Sequence, residues 1–378
     1  MNNTANRVPV LCRAGALVAA AALMSTAACA AENTVGGLAR ADDRPLEVIP
    51  GVASDYGMVE TTDGAKLRTI IATPENADGP LHPLLFTQWV SCSSIEIREN
   101  GSPNVLRALA QESGLSLVRV ERSSDGDSVG PACDELDYDT EVAHYVEAFD
   151  AILKGGKVDA SNVYLYGSSL GSTTAPLVAK ALQDKGYNIA GIAVQGGGAE
   201  TYLERMITFD RIYLERRPDD VNPAGIHGEM VNRIRFQYEY LINDRHPDEI
   251  AKDSAAMAAV RADVRGLGDD NQYGRPFAWH QQAAKRNFLA SWAAIDAPVL
   301  VIFNAFDQFE AQYGADVIVN TVNQLRPGSA TLVVRDNIGH SDDRFATILD
   351  AYADEGGETT WREKTDILVD WYRAQAAE

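Results

Sequence analysis

The stretch Val163-Tyr164-Leu165-Tyr166-Gly167-Ser168-Ser169-Leu170-Gly171 constrains the fold more than any other part of the chain. An apolar run ends in Gly-x-Ser-x-Gly and then opens into a helical pattern. That context turns a common pentapeptide into a strand-to-helix elbow, with the central serine hydroxyl exposed above the edge of a sheet. The flanking glycines are required because backbone and side chains crowd the turn and Cβ atoms would collide. Ser168 is adjacent to the motif centre but off it, which makes Ser169 the candidate nucleophile.

The rest of the chain supplies the matching pattern. Thr62-Asp63-Gly64 between two apolar-rich runs, Met58 to Thr61 and Lys66 to Thr73, signals an antiparallel hairpin. Strands are expected at Pro83 to Trp89, Leu115 to Val120, Val163 to Tyr166, Ile189 to Val194, Pro298 to Phe303 and Ala330 to Val334. Between them lie helical patterns, among them Val105 to Ala110, Ser169 to Lys185, a helix near Gln312 to Leu325, and the closing Trp361 to Arg373. Glu141 to Leu153 carries Val142, Tyr145, Val146, Phe149, Ile152 and Leu153 at helical spacings of three and four. Strands alternating with helices predict an α/β fold, a mostly parallel sheet covered on both faces, with the hairpin as an antiparallel edge.

From Gly196 to about Ala294 the pattern turns helical with no clear strand. The segment reads as a cap inserted between two core strands, over the sheet edge where open α/β sheets bind ligands. Gly196-Gly197-Gly198 lets the chain turn into it. The expected organisation is a leader over 1–30, a small, polar tether over 31–54, a core formed by 55–195 and 295–378, and a cap over 196–294.

Arg7 and Arg13 precede a short apolar stretch, Ala14 to Met24, and small residues follow, which is the layout of an export signal. Two processing readings compete. Ala28-Cys29-Ala30 suits an ordinary signal peptidase, whereas Thr26-Ala27-Ala28-Cys29 resembles a bacterial lipobox that would leave Cys29 acylated. Localisation is therefore expected to be periplasmic or secreted, with membrane attachment only through that possible anchor. Cys92 and Cys133 remain in the mature chain, and an oxidising compartment favours a disulfide between them over two separate buried thiols. The formal net charge of -21 argues against a nucleic-acid partner, because an acidic surface repels phosphate. No dinucleotide fingerprint or metal-ligand spacing is present, so no cofactor and no metal are expected. Asp219-Asp220 and Asp342-Asp343 read as solvated loop pairs.

A serine hydroxyl needs a base within hydrogen-bond reach, and the base needs an orienting partner. Asp307 follows the Pro298–Phe303 strand and His340 follows the Ala330–Val334 strand, so both fall in loops at the same sheet edge as Ser169. Glu310 and Asp336, in neighbouring loops, compete with Asp307. His82, His144, His227, His246 and His280 lack a complementary setting.

With these residues in view, the chain resembles an exported α/β-hydrolase from about Val59 to the C-terminus. Gly167–Gly171, Asp307 and His340 match that family's three catalytic positions. Glu121-Arg122-Ser123-Ser124-Asp125-Gly126-Asp127-Ser128 is similar to its turn after the fourth strand. Gln88-Trp89-Val90-Ser91-Cys92 stands where the family has a His-Gly-x loop. Gln for His and Trp for Gly depart from that pattern, and the loop more closely resembles an exported branch related to serine peptidases, where Cys-Ser-Ser follows this strand. The resemblance implies an oxyanion hole formed by the backbone N–H of Leu170 with that of Val90, or less favourably Trp89.

The expected activity is hydrolysis of a carboxylic ester through an acyl-enzyme, on a small-molecule substrate. Removal of N-terminal residues from short peptides is the alternative, and a hydrolase fold kept as a binding protein is a third reading. Phe209, Tyr213, Phe236, Tyr238, Tyr240, Phe277 and Trp279 are candidates for an acyl pocket, against the plainer reading that they hold the cap helices together. Glu200, Glu204 and Glu239 are candidates for binding a substrate ammonium, against a solvated helix face.

Overall fold

Leu84, Leu85 and Phe86 are all buried although they are consecutive, which requires a strand covered on both sides. Leu85 joins one apolar cluster with Leu165, Val194 and Val301, whereas Leu84 and Phe86 join another with Tyr166, Ala193 and Ile302. In the computed structural model, which describes residues 33–98, 104–197, 201–215 and 223–377, this alternation is the organising feature of the sheet. The two-residue strands β1 (Thr34–Val35) and β2 (Leu38–Ala39) come first, followed by β3 (Val52–Glu60), β4 (Lys66–Pro74), β5 (Pro83–Thr87), α1 (Asn104–Glu112), β6 (Ser116–Val120), α2 (Tyr138–Lys154), β7 (Val163–Ser168), α3 (Gly171–Asp184) and β8 (Ile189–Gln195).

A helical insertion separates β8 from the next core strand. It contains α4 (Tyr202–Glu215), α5 (Pro223–Leu241), α6 (Pro247–Ala251), α7 (Ala255–Asp263), the short ribbon β9 (Asn271–Gln272) and β10 (Arg275–Pro276), α8 (Phe277–Ala284) and α9 (Phe288–Ala294). The core resumes with β11 (Val299–Asn304), α10 (Gln312–Leu325) and β12 (Ala330–Arg335). A ribbon of β13 (Asp343–Arg344) and β14 (Glu358–Thr359) flanks α11 (Ile348–Ala353), and α12 (Trp361–Ala376) closes the fold.

The central sheet has eight strands in the order β12-β11-β8-β7-β5-β6-β4-β3. Strands β12 through β6 in that order run parallel to their neighbours; β4 runs antiparallel to β6, and β3 to β4. From β5 the chain goes outward to β6, then returns to build β7, β8, β11 and β12 on the other side. Strand order therefore reverses around β5 and β7, and their C-terminal ends flank the crevice that such a reversal opens. Helix α2 begins three residues before the expected stripe because Asp137 caps it, accepting from Thr140 N–H at 2.8 Å, with Asp139 and Glu141 favourably placed in its first turn.

The stretch read as a tether departs from expectation. Over residues 33–54 the chain lies on the core instead of leading away from it. Arg40 pairs with Glu96 at 3.1 Å and Asp127 at 2.9 Å. Glu47 makes a buried two-point ion pair with Arg119, at 2.8 and 2.5 Å, and Leu38, Ile49 and Val52 are buried. Small polar composition hides this because charged groups, and only a few apolar ones, anchor the segment. The leader, including Cys29, lies outside the described residues. Among the described residues no helix is long and apolar enough to cross a membrane.

Candidate active site

Crowding at the elbow explains its composition. A Cβ on Gly171 would stand 2.0 Å from the Thr87 carbonyl oxygen, and one on Gly167 2.6 Å from the Gly171 carbonyl oxygen. Thr87 Oγ1 donates to that same Gly171 carbonyl at 2.8 Å, tying β5 to the turn. Ser169 adopts φ 52°, a left-handed backbone uncommon for a residue with a side chain. The Ser169 N–H donates to Gln195 O at 2.7 Å, and the Ser172 N–H returns to Ser169 O at 2.9 Å. The strained serine is thus held between the end of β8 and the first turn of α3, with the positive end of the helix beside it.

The structure brings Ser169, His340 and Asp307 together. Ser169 Oγ lies 2.9 Å from His340 Nε2, and His340 Nδ1 lies 2.7 Å from Asp307 Oδ2. Asp307 is buried. Its other oxygen, Oδ1, accepts the N–H groups of Phe309 at 2.8 Å and Glu310 at 3.1 Å, which leaves Oδ2 for the imidazole. This arrangement puts the proton of neutral His340 on Nδ1 and the lone pair on Nε2, facing the Ser169 hydroxyl. Of the competing carboxylates, buried Glu310 pairs with Arg205 and Asp336 is exposed. Ser168 lines the same cavity, but it is Ser169 Oγ that meets the imidazole.

Several supports for His340 carry no signal in the sequence. Gln308 Oε1 accepts the His340 N–H at 3.2 Å, Asn304 Nδ2 donates to Gly339 O at 2.8 Å, and Phe309 meets the imidazole in a T-shaped contact at 4.8 Å. Gly196, read as a turn into the cap, has φ +86°, and a Cβ there would lie 2.9 Å from His340 Cε1 and 3.1 Å from Ser169 Cα. Its missing side chain is what lets His340 and Ser169 approach.

Leu170 and Val90 line one cavity of about 530 Å³ with Ser169 and His340. The loop holding Val90 is clamped from behind. Arg122 donates to the carbonyls of Gln88 at 3.0 Å, Trp89 at 2.5 Å and Ser91 at 2.9 Å. Its Nε meets Glu141 Oε1 at 2.6 Å, and Glu141 Oε2 also accepts Trp279 Nε1 at 2.7 Å and Arg275. Burial alone would depress the Arg122 pKa, but the Glu141 carboxylate holds it above its ordinary value. Two residues beyond Val90, Cys92 and Cys133 form a disulfide, with Cα atoms 5.7 Å apart.

The cavity walls are largely apolar, from Tyr202, Met206, Phe209 and Tyr273 of the insertion to Phe86 and Leu106 of the core. Of the aromatics expected from the sequence to line an acyl pocket, Phe209 reaches the cavity, Phe236, Tyr240, Phe277 and Trp279 are buried among the helices, and Tyr238 is exposed. Tyr213 contacts Asp263 instead. Glu204 bonds back to Thr201, Glu239 pairs with Arg245, and Glu200 lies outside the described residues. Asp342, expected to be solvated, is buried between Arg335 and Lys364, while Asp219-Asp220 falls outside the described residues. His280 is also buried, its Nε2 donating to Gln272 O at 2.8 Å and its Nδ1 accepting from Tyr202 Oη at 2.7 Å. Among the described residues no group of three or more His, Cys, Asp or Glu side chains is arranged to hold a metal ion.

No family model and no curated protein matches the chain. Solved structures do. Est1E from Butyrivibrio proteoclasticus with ferulic acid bound is 14% identical, with a TM-score of 0.54 over 85% of this chain and 99% of that one. The Pyrococcus furiosus esterase Pf2001 is 12% identical, with a TM-score of 0.51 over 88% and 96%. A proline iminopeptidase from Mycobacterium smegmatis is 15% identical, with a TM-score of 0.50 over 86% and 100%. Sheet order, the elbow at the end of β7 and these likenesses agree that the chain has the α/β-hydrolase fold.

Proposed function

We propose that the protein is a serine hydrolase that cleaves carboxylic esters through an acyl-enzyme. The observation that carries this reading is the unbroken relay from Ser169 Oγ through His340 to buried Asp307, opening into an apolar cavity. His340 Nε2 takes the Ser169 proton as Oγ attacks the ester carbon, and Asp307 stabilises the imidazolium. The proton then passes from His340 to the departing alkoxide. Water, activated by the same imidazole, releases the acid and restores the serine. The developing oxyanion is met by the Leu170 N–H at the start of α3 and by the Val90 N–H. A trans peptide points its N–H away from its carbonyl, so holding the Trp89 carbonyl toward Arg122 fixes the direction of the Val90 N–H. Each preorganised donor is worth about 3–4 kcal/mol in the transition state.

The alternative is a peptidase acting on free N-termini, and its fold likeness is the proline iminopeptidase. Such an enzyme needs a carboxylate for the substrate ammonium. Among the described residues lining the cavity the only carboxylate is Asp342, already engaged by Arg335 and Lys364, and this favours the ester. The Cys92–Cys133 disulfide supports work in an oxidising compartment outside the cytoplasm.

A panel of neutral acyl esters set against a panel of aminoacyl amides tests the reading. Turnover of esters that is lost in Ser169→Ala is expected. Strong amide turnover with negligible ester turnover replaces the esterase with the peptidase, and no turnover of either, with no reaction toward a fluorophosphonate, favours a binding protein.

A further inference from the structure

The cavity does not end at the nucleophile. Side chains alternate along a strand, so Tyr166 shares a sheet face with Ser168. That face carries Phe86 and Leu106, and the cavity lining continues over it to Trp361 and Lys364 of α12. Tyr166 lies three residues before Ser169, about 10 Å along the strand at roughly 3.3 Å per residue.

This far end is polar and unbalanced. Tyr166 is almost fully buried, and among the described residues its hydroxyl has no hydrogen-bond partner. Lys364, also buried, reaches Gln195 Oε1 at 3.3 Å and Asp342 Oδ2. An ammonium has three donors, so one remains. Tyr166 and Lys364 line the same cavity. Asp342 is shared with Arg335, whose Nη1 it accepts at 2.5 Å. Two buried cations therefore face one buried carboxylate. Glu363, which stands 3.8 Å from Arg335, is half exposed and bonded to Arg344. A buried hydroxyl without a partner and a buried surplus of positive charge are both costly, and both are relieved by one ligand.

We propose that Tyr166 and Lys364 form a distal subsite for a carboxylate on the substrate, so that the ester is one whose far end carries a negative charge. The two carboxylate oxygens accept the Tyr166 O–H and the remaining Lys364 N–H, while the apolar walls between hold the spacer. This rests on the ester reading and narrows it to acidic esters such as monoesters of dicarboxylic acids.

The test is a kinetic comparison of matched pairs. Monoesters of glutaric, adipic, suberic and sebacic acids are set against the same compounds with the free carboxylate capped as a methyl ester. A second series carries the carboxylate on the alcohol side, as acetates of ω-hydroxy acids, and so covers both directions of binding. In the wild type, at one spacer length, kcat/KM for the free carboxylate is expected to exceed that of its capped partner by about tenfold or more. The preference is read as a ratio and should collapse toward one in Tyr166→Phe, which removes only an unbonded hydroxyl, and in Lys364→Met, which leaves Asp342 paired with Arg335. Equal rates for free and capped esters in the wild type, or a preference that survives both substitutions, overturns the subsite. If no ester is turned over at all, the subsite is read separately by calorimetric titration of free adipate into Ser169→Ala. Binding that is lost on adding Tyr166→Phe retains the subsite while the esterase reading fails, and absence of binding removes both.

Discussion

The guanidinium of Arg122 donates to the carbonyl oxygen of Trp89, and through that peptide it sets the direction of the N–H of Val90, which lines the cavity. Arg122 is in turn held by Glu141 on α2, which also accepts Trp279 and Arg275 from the insertion. The loop proposed to stabilise the oxyanion is thus braced by the core and by the inserted helices together. Arg122→Lys keeps the charge beside Glu141 but cannot span three carbonyls. It is expected to lower kcat on a neutral ester by about 10²-fold, with a much smaller change in KM. Steady-state kinetics on folded protein check this; a wild-type kcat would mean the clamp does not position the donor.

Gly196 gives a second, local prediction. Its φ is +86°, and a side chain there would begin only 2.9 Å from His340 Cε1, which leaves no room for a methyl group. Gly196→Ala should push the imidazole away from Ser169 and cost about 10²-fold in kcat, with backbone strain of about 1–3 kcal/mol. Thermal unfolding separates the two effects. Full activity would show that the base tolerates displacement.

The elbow, the two strand-following loops and the parallel sheet are legible in the sequence because each is local: glycine at a crowded turn, an apolar run, a polar residue a few positions after it. The Arg122–Glu141 clamp is not legible. It joins residues from separate elements, and an ion pair between distant positions leaves no period in the chain. The same reason hides the docking of residues 33–54, where Arg40 and Glu47 find partners many residues away. Asp342 misleads for a related cause. A charged loop pair looks solvated until the fold brings Lys364 and Arg335 around it. Gly196 stands out in the sequence for its flexibility, whereas its small size beside His340 depends on a loop that begins far along the chain.

The disulfide should matter for stability. Cys92 and Cys133 are 41 residues apart in sequence, and the chain-entropy model assigns a closed loop of that length about 3–4 kcal/mol. Paired replacement, Cys92→Ser with Cys133→Ser, is expected to lower the free energy of unfolding by that order. Denaturant unfolding measures it, and an unchanged midpoint with an unchanged slope would contradict the assignment.

Two buried groups give opposite pH trends. Burial pushes His280 down to about 3, from an ordinary value of 6.5. The unfolded chain then binds more protons than the folded one below about 6.5, so this group's stabilisation is lost as pH falls from about 6.5 toward 3, by about 2 kcal/mol at pH 5. Burial pushes Glu121 up to about 7, from 4.5. Here the folded state binds more protons, and stability is lost as pH rises from about 4.5 through 7. Stability measured against pH in His280→Gln should lose the acid-side slope, and in Glu121→Gln the opposing one. Curves parallel to the wild type would refute these placements.

His340 is proposed to make Ser169 nucleophilic. The rate at which a fluorophosphonate probe labels the folded protein, with the modified residue mapped by mass spectrometry, measures that activation. Stoichiometric labelling at Ser169 is expected, absent in Ser169→Ala and slowed at least about 10³-fold in His340→Ala. Folded wild-type protein that stays unlabelled, or labelling at Ser169 that proceeds unchanged without His340, would rule out this pairing of nucleophile and base.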